Sequence, residues 1–222
     1  MSDPSFARSS TDHALGEFLP NGNKTDTPLP ANGPTTGFKL NHMMMRIRDP
    51  ARSMHFYIDL MGMRTVFTMN VGPFTIYYLG YPKTAEHREN PSKFGEDTVA
   101  SLAHTLGLLE LYHIHGSENE PEGLYSTGNQ PPNLGFGHLG FTVPDVPAAL
   151  KHLQSNGVEI LKDLGVATRE SIPLSPWEAQ RGLGLGDVHP EYQKVFKQIA
   201  FIKDPDGYIV ELVPQQMNPL EP

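Results

Sequence analysis

The sequence predicts an α+β chain made of two copies of one βαβββ unit, and three observations predict it. A His opens an apolar run twice, at His42 and His138, and an Asp follows seven residues later in both, as Asp49 and Asp145. Each copy then closes on an apolar strand with one Glu inside it, Glu110 in LLELY and Glu211 in IVELV. The two His are 96 residues apart and the His-to-Glu separations are 68 and 73 residues, so one order of features recurs at a nearly fixed offset, the mark of a duplicated unit.

Taken in order, residues 1 to about 36 are rich in Ser, Thr, Asn, Pro and Gly with one short apolar patch at Phe18-Leu19, and they read as a flexible tail or as an arm that wraps a partner subunit. From residue 37 to 125 the first unit begins with a strand from His42. Asp49 then supplies a carboxylate for free backbone N–H groups while Pro50 occupies the first helical turn. Met54, Tyr57, Ile58 and Met61 follow at helical spacing, and Gly62 stands where a left-handed C-terminal cap belongs. The period then changes to that of strands over Thr65–Met69, Phe74–Leu79 and Leu108–His113.

The second unit, 126 to 217, repeats the series. Its strand from His138 leads to Asp145 and Pro147, then to Ala149, Leu150 and Leu153 on one helical face, with Gly157 as the cap. Strands follow at Val158–Leu161, Ile199–Ile202 and Tyr208–Val213, the last two joined by the turn Asp204-Pro205-Asp206-Gly207. A long insertion at about 165–197 separates the first of these strands from the others, and residues 218–222 form a C-terminal tail.

Composition narrows the chemistry. The net charge of −8 argues against nucleic acid or an anionic membrane as the main partner and favours a small molecule. The absence of cysteine excludes disulfides, thiolate metal sites and cysteine nucleophiles, so any metal must be held by nitrogen and oxygen. No apolar stretch approaches bilayer length and no signal-peptide pattern opens the chain, so a cytoplasmic protein is expected.

A carboxylate between Leu109 and Leu111, or between Val210 and Leu212, is costly to bury unless it is paired or bound to a cation. If the two units pack about a pseudo-twofold axis, His42, Glu110, His138 and Glu211 converge in one concavity. Two imidazoles and two carboxylates suit a divalent first-row ion that keeps open positions, unlike a closed structural zinc shell. Arg46 is the alternative partner for a strand carboxylate, and the other histidines, lacking duplicated placement, read as surface or core residues.

The segments MMMRIRDPARSMHFYIDLMGM, LLELYHIHGSE, GFGHLGFTVPDV and IAFIKDPDGYIVEL together resemble glyoxalase I, lactoylglutathione lyase, of the vicinal-oxygen-chelate superfamily, across residues 40–163 and 197–217. The resemblance implies two βαβββ modules around a metal-containing cleft, and a homodimer whose sites join module one of one chain to module two of the other. It places the metal ligands on His42, Glu110, His138 and Glu211, for one zinc, nickel or cobalt ion per site, with iron or manganese as further options. It implies that a glutathione/2-oxoaldehyde hemithioacetal, as in methylglyoxal detoxification, becomes a 2-hydroxyacyl thioester through an enediolate. In that reaction the metal acts as a Lewis acid, Glu211 shuttles the proton, and Glu110 is its mirror counterpart.

The sequence departs from the family at three places. His42 matches the bacterial nickel or cobalt branch, where the eukaryotic zinc branch has Gln. Arg46 is retained as a substrate contact, but Ile114 and Leu134 stand where the family has an Asn and an Arg for glutathione. The 165–197 stretch is longer than the family's loop, and it reads as a lid that turns Trp177, Tyr192 or Phe196 toward substrate, with Phe196 and Lys197 as substrate contacts, or as an inert surface insertion. Its glycine run, Gly182 to Gly186, lacks the strand-before, helix-after context of a phosphate loop. Three alternatives stay open: the same site acting on a small oxygenated metabolite without glutathione, an extradiol-type dioxygenase, or a ligand-sequestering binding protein.

Overall fold

The computed structural model describes residues 13–19, 26, 28–172 and 175–217. In the first half, β1 (His42–Ile47) leads to α1 (Pro50–Met54), β2 (Arg64–Asn70), β3 (Phe74–Gly80), α2 (Ala85–Glu89), α3 (Pro91–Ala100) and β4 (Leu108–Ile114). A hairpin of β5 (Asn129–Gln130) and β6 (Asn133–Leu134) precedes the second half. That half runs β7 (Leu139–Val143), α4 (Val146–Ser155), β8 (Ile160–Lys162), α5 (Pro176–Ala179), α6 (Pro190–Phe196), β9 (Ala200–Lys203) and β10 (Ile209–Pro214).

The duplication is visible in the sheets. One has the order β1-β4-β3-β2 and the other β7-β10-β9-β8, and in both the first strand pairs in parallel with the last. Both helices that follow a first strand start as their residues dictate. The Asp49 carboxylate accepts from Ala51 N at 2.9 Å and that of Asp145 from Ala148 N at 2.9 Å, each satisfying a donor that the helix cannot. Gly62 and Gly157 both close their helices at φ +79°, a conformation that costs a side-chain-bearing residue about 1–2 kcal/mol.

The halves differ where α1 gives way to a π-helical turn over His55–Leu60, in which Met61 N reaches Phe56 O and Met63 N reaches Tyr57 O. The helix pair α2 and α3 is a second difference, in a segment for which the strand pattern predicted no helix. Its start is nonetheless written locally, because the Asn90 side chain accepts from Lys93 N at 3.1 Å with Pro91 in the first turn. α3 lies so close to β2 that a Cβ on Gly95 would stand 2.9 Å from the Val66 carbonyl oxygen.

A single apolar core joins the halves. Met45, Ile47, Tyr57, Leu79 and Leu111 from the first pack with Leu139, Leu150, Leu153, Ile202 and Leu212 from the second. Hydrogen bonds cross the same junction. The Tyr57 hydroxyl donates to Asp204 at 2.8 Å, Arg48 N and the Ser53 hydroxyl donate to Asp206, and the Tyr208 hydroxyl donates to the Arg46 carbonyl at 3.1 Å. The Asp204-to-Gly207 turn therefore serves as a polar clasp between the two units.

The insertion carries a short 3-10 turn at Arg169–Ser171 together with α5 and α6. Its glycine run is held by the Arg169 guanidinium, which donates to the carbonyls of Gly184 and Gly186. The described residues of the N-terminal stretch expected to be a tail contain turns but no helix or strand. No helix among the described residues is long and apolar enough to cross a membrane.

Candidate metal centre

Strand alternation decides which side chains share a face. In β1, Met45 and Ile47 turn into the core, which leaves His42, Met44 and Arg46 on the opposite, open face. Glu110 pairs directly with Met44 on one side and with Tyr78 on the other, so it rises from that same face. The second sheet repeats the arrangement, with Glu211 between Gly140 and Phe201 and His138 just before β7. Both carboxylates remain partly accessible rather than sealed in the core.

The geometry brings each His beside its own Glu. His42 Nε2 lies 3.3 Å from Glu110 Oε2, and His138 Nε2 lies 3.2 Å from Glu211 Oε2. Two donors at that spacing can both reach one ion at the bond lengths of about 2.0–2.2 Å usual for nitrogen and carboxylate ligands. Within one chain the two pairs stay separate: among the described residues, no group of three or more His, Asp or Glu side chains could hold a metal together.

Two residues that sequence reasoning missed organise the first pair. The Asn41 amide donates to the carbonyls of Leu102 and Thr105, which directs its oxygen to His42 Nδ1 at 2.8 Å. Nδ1 then carries the proton and the lone pair is left on Nε2, the atom that faces Glu110. The Tyr78 hydroxyl donates to Glu110 Oε2 at 2.9 Å and lies 3.1 Å from His42 Nε2. Burial and the Glu110 carboxylate push its pKa up to about 12, so it stays a neutral donor. Its place opposite Glu110 follows from the register of β3 against β4, which the sequence does not announce.

The residues expected to contact substrate are dispersed. Arg46 is exposed on the open face of the first sheet with its guanidinium 5.4 Å from the centre of the Tyr112 ring, and Ile114 lies at the end of β4 opposite Phe74. Leu134 lies in the β5–β6 hairpin. Trp177 is half-buried under the Arg181 guanidinium, Tyr192 is half-exposed, and Lys197 is exposed at the end of α6. Phe196 is buried in an apolar cluster with Ile199 and Phe201.

Lys162, also unanticipated, is 4% exposed and donates to the carbonyls of Phe196 and Ile199, tying the end of the insertion to β8. Burial pulls its pKa down to about 8. Beside it, Glu170, Ser171 and Ile172 of the insertion join Phe201, Ile209 and His138 around a cavity of about 180 Å³. The Ser171 hydroxyl is engaged by the Thr168 carbonyl, and Leu161, Ile172, Phe201 and Ile209 give the cavity an apolar side facing His138, Lys162 and Glu170.

Comparison with known proteins finds a matching family and similar proteins. The model of the Glyoxalase/Bleomycin resistance protein/Dioxygenase superfamily matches residues 39–172. A lactoylglutathione lyase of Pseudomonas aeruginosa is 33% identical over 192 residues, which cover 83% of this chain and 86% of that protein. Glyoxalase I of Saccharomyces cerevisiae is 33% identical over 185 residues, covering 82% of this chain but 46% of the relative, so the chain spans about half of that protein's length. Among solved structures, a trypanothione-dependent glyoxalase I of Leishmania major is 20% identical with a TM-score of 0.49, over 80% of this chain and 87% of that one.

Proposed function

The chain belongs to the Glyoxalase/Bleomycin resistance protein/Dioxygenase superfamily, and from that membership we propose that it is a glyoxalase I-type lyase whose metal is held by His42, Glu110, His138 and Glu211. The observation that carries the reading is the duplicated His–Glu pair, 3.3 Å and 3.2 Å apart at equivalent places in two equivalent sheets. The donor set fits a divalent ion, since nitrogen and carboxylate oxygen are its only members and each pair is spaced for one ion. The modules are read as 37–125 and 126–217. Because one chain keeps the pairs apart, two copies would complete each site, module one of one facing module two of the other.

The substrate proposed is the hemithioacetal of a thiol, glutathione in the first instance, with a 2-oxoaldehyde, and the product is a 2-hydroxyacyl thioester. A bound metal would supply Lewis acidity to the vicinal oxygens of the substrate. The chain's own residues do the rest. Glu211 takes the proton from the carbon bearing sulfur and returns it to the neighbouring carbon, and Glu110 is its mirror counterpart. Met44 flanks Glu110 and Phe201 flanks Glu211, giving each carboxylate an apolar neighbour on its own face. Arg46, exposed on the face of His42, is placed for a substrate carboxylate.

A second reading, in which the same chemistry proceeds without glutathione, is favoured by two observations. Ile114 offers no polar contact, and the Lys162 ammonium already serves two backbone carbonyls. The fourth ligand, Glu110, argues against a ring-cleaving dioxygenase, which uses two His and one carboxylate.

Metal analysis and molar-mass measurement on the purified protein, followed by methylglyoxal turnover with and without glutathione, test the reading. About one divalent ion per site, a dimer, and turnover only with the thiol support it. Turnover with methylglyoxal alone moves the conclusion to the second reading, and a protein that binds no metal refutes both.

A further inference from the structure

The two His–Glu pairs are built on one plan but are not equivalent, and the difference lies in the residues flanking each carboxylate. Glu110 stands between Tyr78 on β3 and Met44 on β1. Glu211 stands between Phe201 on β9 and Gly140 on β7, the matching positions of the repeat. Both aromatic rings meet their histidine edge-on, with centroids 5.1 Å apart for Tyr78 and His42 and 5.5 Å for Phe201 and His138. What the second unit lacks is the hydroxyl, and with it the 2.9 Å hydrogen bond that Tyr78 gives to Glu110.

Tyr78 is itself held firmly. It is 9% exposed, its ring stacks on Phe67 at 4.5 Å, and it belongs to a small apolar cluster with Val66, Ile76, Phe94 and Leu108. A donor fixed in this way restrains its acceptor. On the other side of each carboxylate the contrast runs the same way. Met44 puts a long side chain beside Glu110, whereas at Gly140 even a Cβ would come within 3.4 Å of Glu211 Oε2, so the glycine leaves that oxygen open space.

We infer that Tyr78 is a positioning residue that pins Glu110 in place, leaving Glu211, beside Gly140 and Phe201, as the carboxylate able to leave its place and carry the proton. The inference rests on the reading of the site as a proton-transfer centre, and it adds what makes two duplicated carboxylates act differently. Tyr78 takes no proton in this scheme. It restrains one carboxylate through a hydrogen bond to a charged acceptor, a bond roughly twice as strong as one between neutral groups.

Two measurements test it, one without turnover. In metal-free protein labelled with [ζ-13C]tyrosine, the Tyr78 resonance, assigned by its loss in Tyr78→Phe, is expected to shift in Glu110→Gln and to stay in place in Glu211→Gln. Glu110→Asp replaces the amide variant should that fail to fold. No shift in either Glu110 variant, or an equal shift in Glu211→Gln, overturns the pin whatever reaction the protein catalyses.

In the second measurement, Glu211→Gln is expected to lose about 10²–10⁴-fold in kcat toward the methylglyoxal–glutathione hemithioacetal, the usual range for removing a general base. Adding Tyr78→Phe to Glu211→Gln, at equal metal content, is expected to restore about tenfold by freeing Glu110. A merely structural Tyr78 predicts a double variant no better than Glu211→Gln alone, and that result overturns the assignment of roles. A wild-type protein inactive toward every hemithioacetal sinks the functional reading instead, with the resonance measurement still deciding the pin.

Discussion

Asp204 offers a quantitative test of the junction between the halves. It is 4% exposed; one carboxylate oxygen accepts from Asp206 N at 2.9 Å and Tyr208 N at 2.8 Å, and the other accepts from the Tyr57 hydroxyl at 2.8 Å. Those bonds favour the charged form, but burial outweighs them and pushes the pKa from its ordinary 3.8 up to about 6, with neighbouring Asp206 adding to the rise. A carboxyl whose folded pKa is raised contributes stability that is fully present below its unfolded value and lost as pH climbs through the folded one. The distance from 3.8 to about 6, at about 1.36 kcal/mol per pH unit, makes that contribution about 3 kcal/mol.

Asp204→Asn keeps the shape and one acceptor oxygen but has no proton to exchange. Urea unfolding of both proteins from about pH 4 to about pH 7.5 isolates this group, because other titrating residues cancel in the difference between the two. Wild-type stability is expected to fall relative to Asp204→Asn by about 2–3 kcal/mol over that range, mostly between about pH 4 and 6. Parallel curves would refute the reasoning and mean that the three hydrogen bonds offset burial in full, and a relative rise with pH would mean that they outweigh it.

Other expectations follow from single contacts. Lys162→Met removes the donor for two carbonyls, at about 1–3 kcal/mol for each group left unpaired, so stability should fall by about 2–4 kcal/mol and limited proteolysis should cut within 165–197 sooner. Gly95→Ala gains about 1 kcal/mol of helix propensity but drives a Cβ to 2.9 Å from the backbone oxygen of Val66. Overpacking of about 1–3 kcal/mol should win and lower the melting temperature. Ile172→Phe fills the cavity of about 180 Å³ beside His138, a volume sufficient for an aromatic ring, since a void of about 150 Å³ can hold benzene. Its kcat/KM for the phenylglyoxal hemithioacetal should drop at least about tenfold relative to methylglyoxal, and an unchanged ratio would show that the side chain of the substrate does not enter there.

The parts of the fold legible in the sequence are those encoded over short stretches. Asp49 with Pro50 and Asp145 with Pro147 fix two helix starts, Gly62 and Gly157 fix the ends, and strand alternation around Glu110 and Glu211 puts both carboxylates on one kind of face. The repeat then pairs each with its His. Contacts between distant residues were not legible. Tyr57 reads as an apolar residue on a helical face, and nothing near it announces Asp204 as the partner of its hydroxyl. Tyr78 reads as strand packing until the register of β3 against β4 is known. α3 was hidden because Phe94 and Val99 are too few to set a clear helical period, although Asn90-Pro91 marks its start. Convergence of all four donors is likewise a matter of how sheets meet, which spacing along one chain does not specify.

The clasp around Asp204 and Asp206 has a mechanical consequence. Its partners on the first half, residues 46 to 57, continue directly from the strand that begins at His42, and its own turn opens directly into the strand that carries Glu211. The two imidazole–carboxylate pairs are thus mounted on opposite arms of one fulcrum, stiffened by a shared apolar filling. Tilting one arm against the other means severing that filling and its hydrogen bonds together, so adaptation to differently sized guests falls to side chains and to the inserted segment, not to a hinge between the halves.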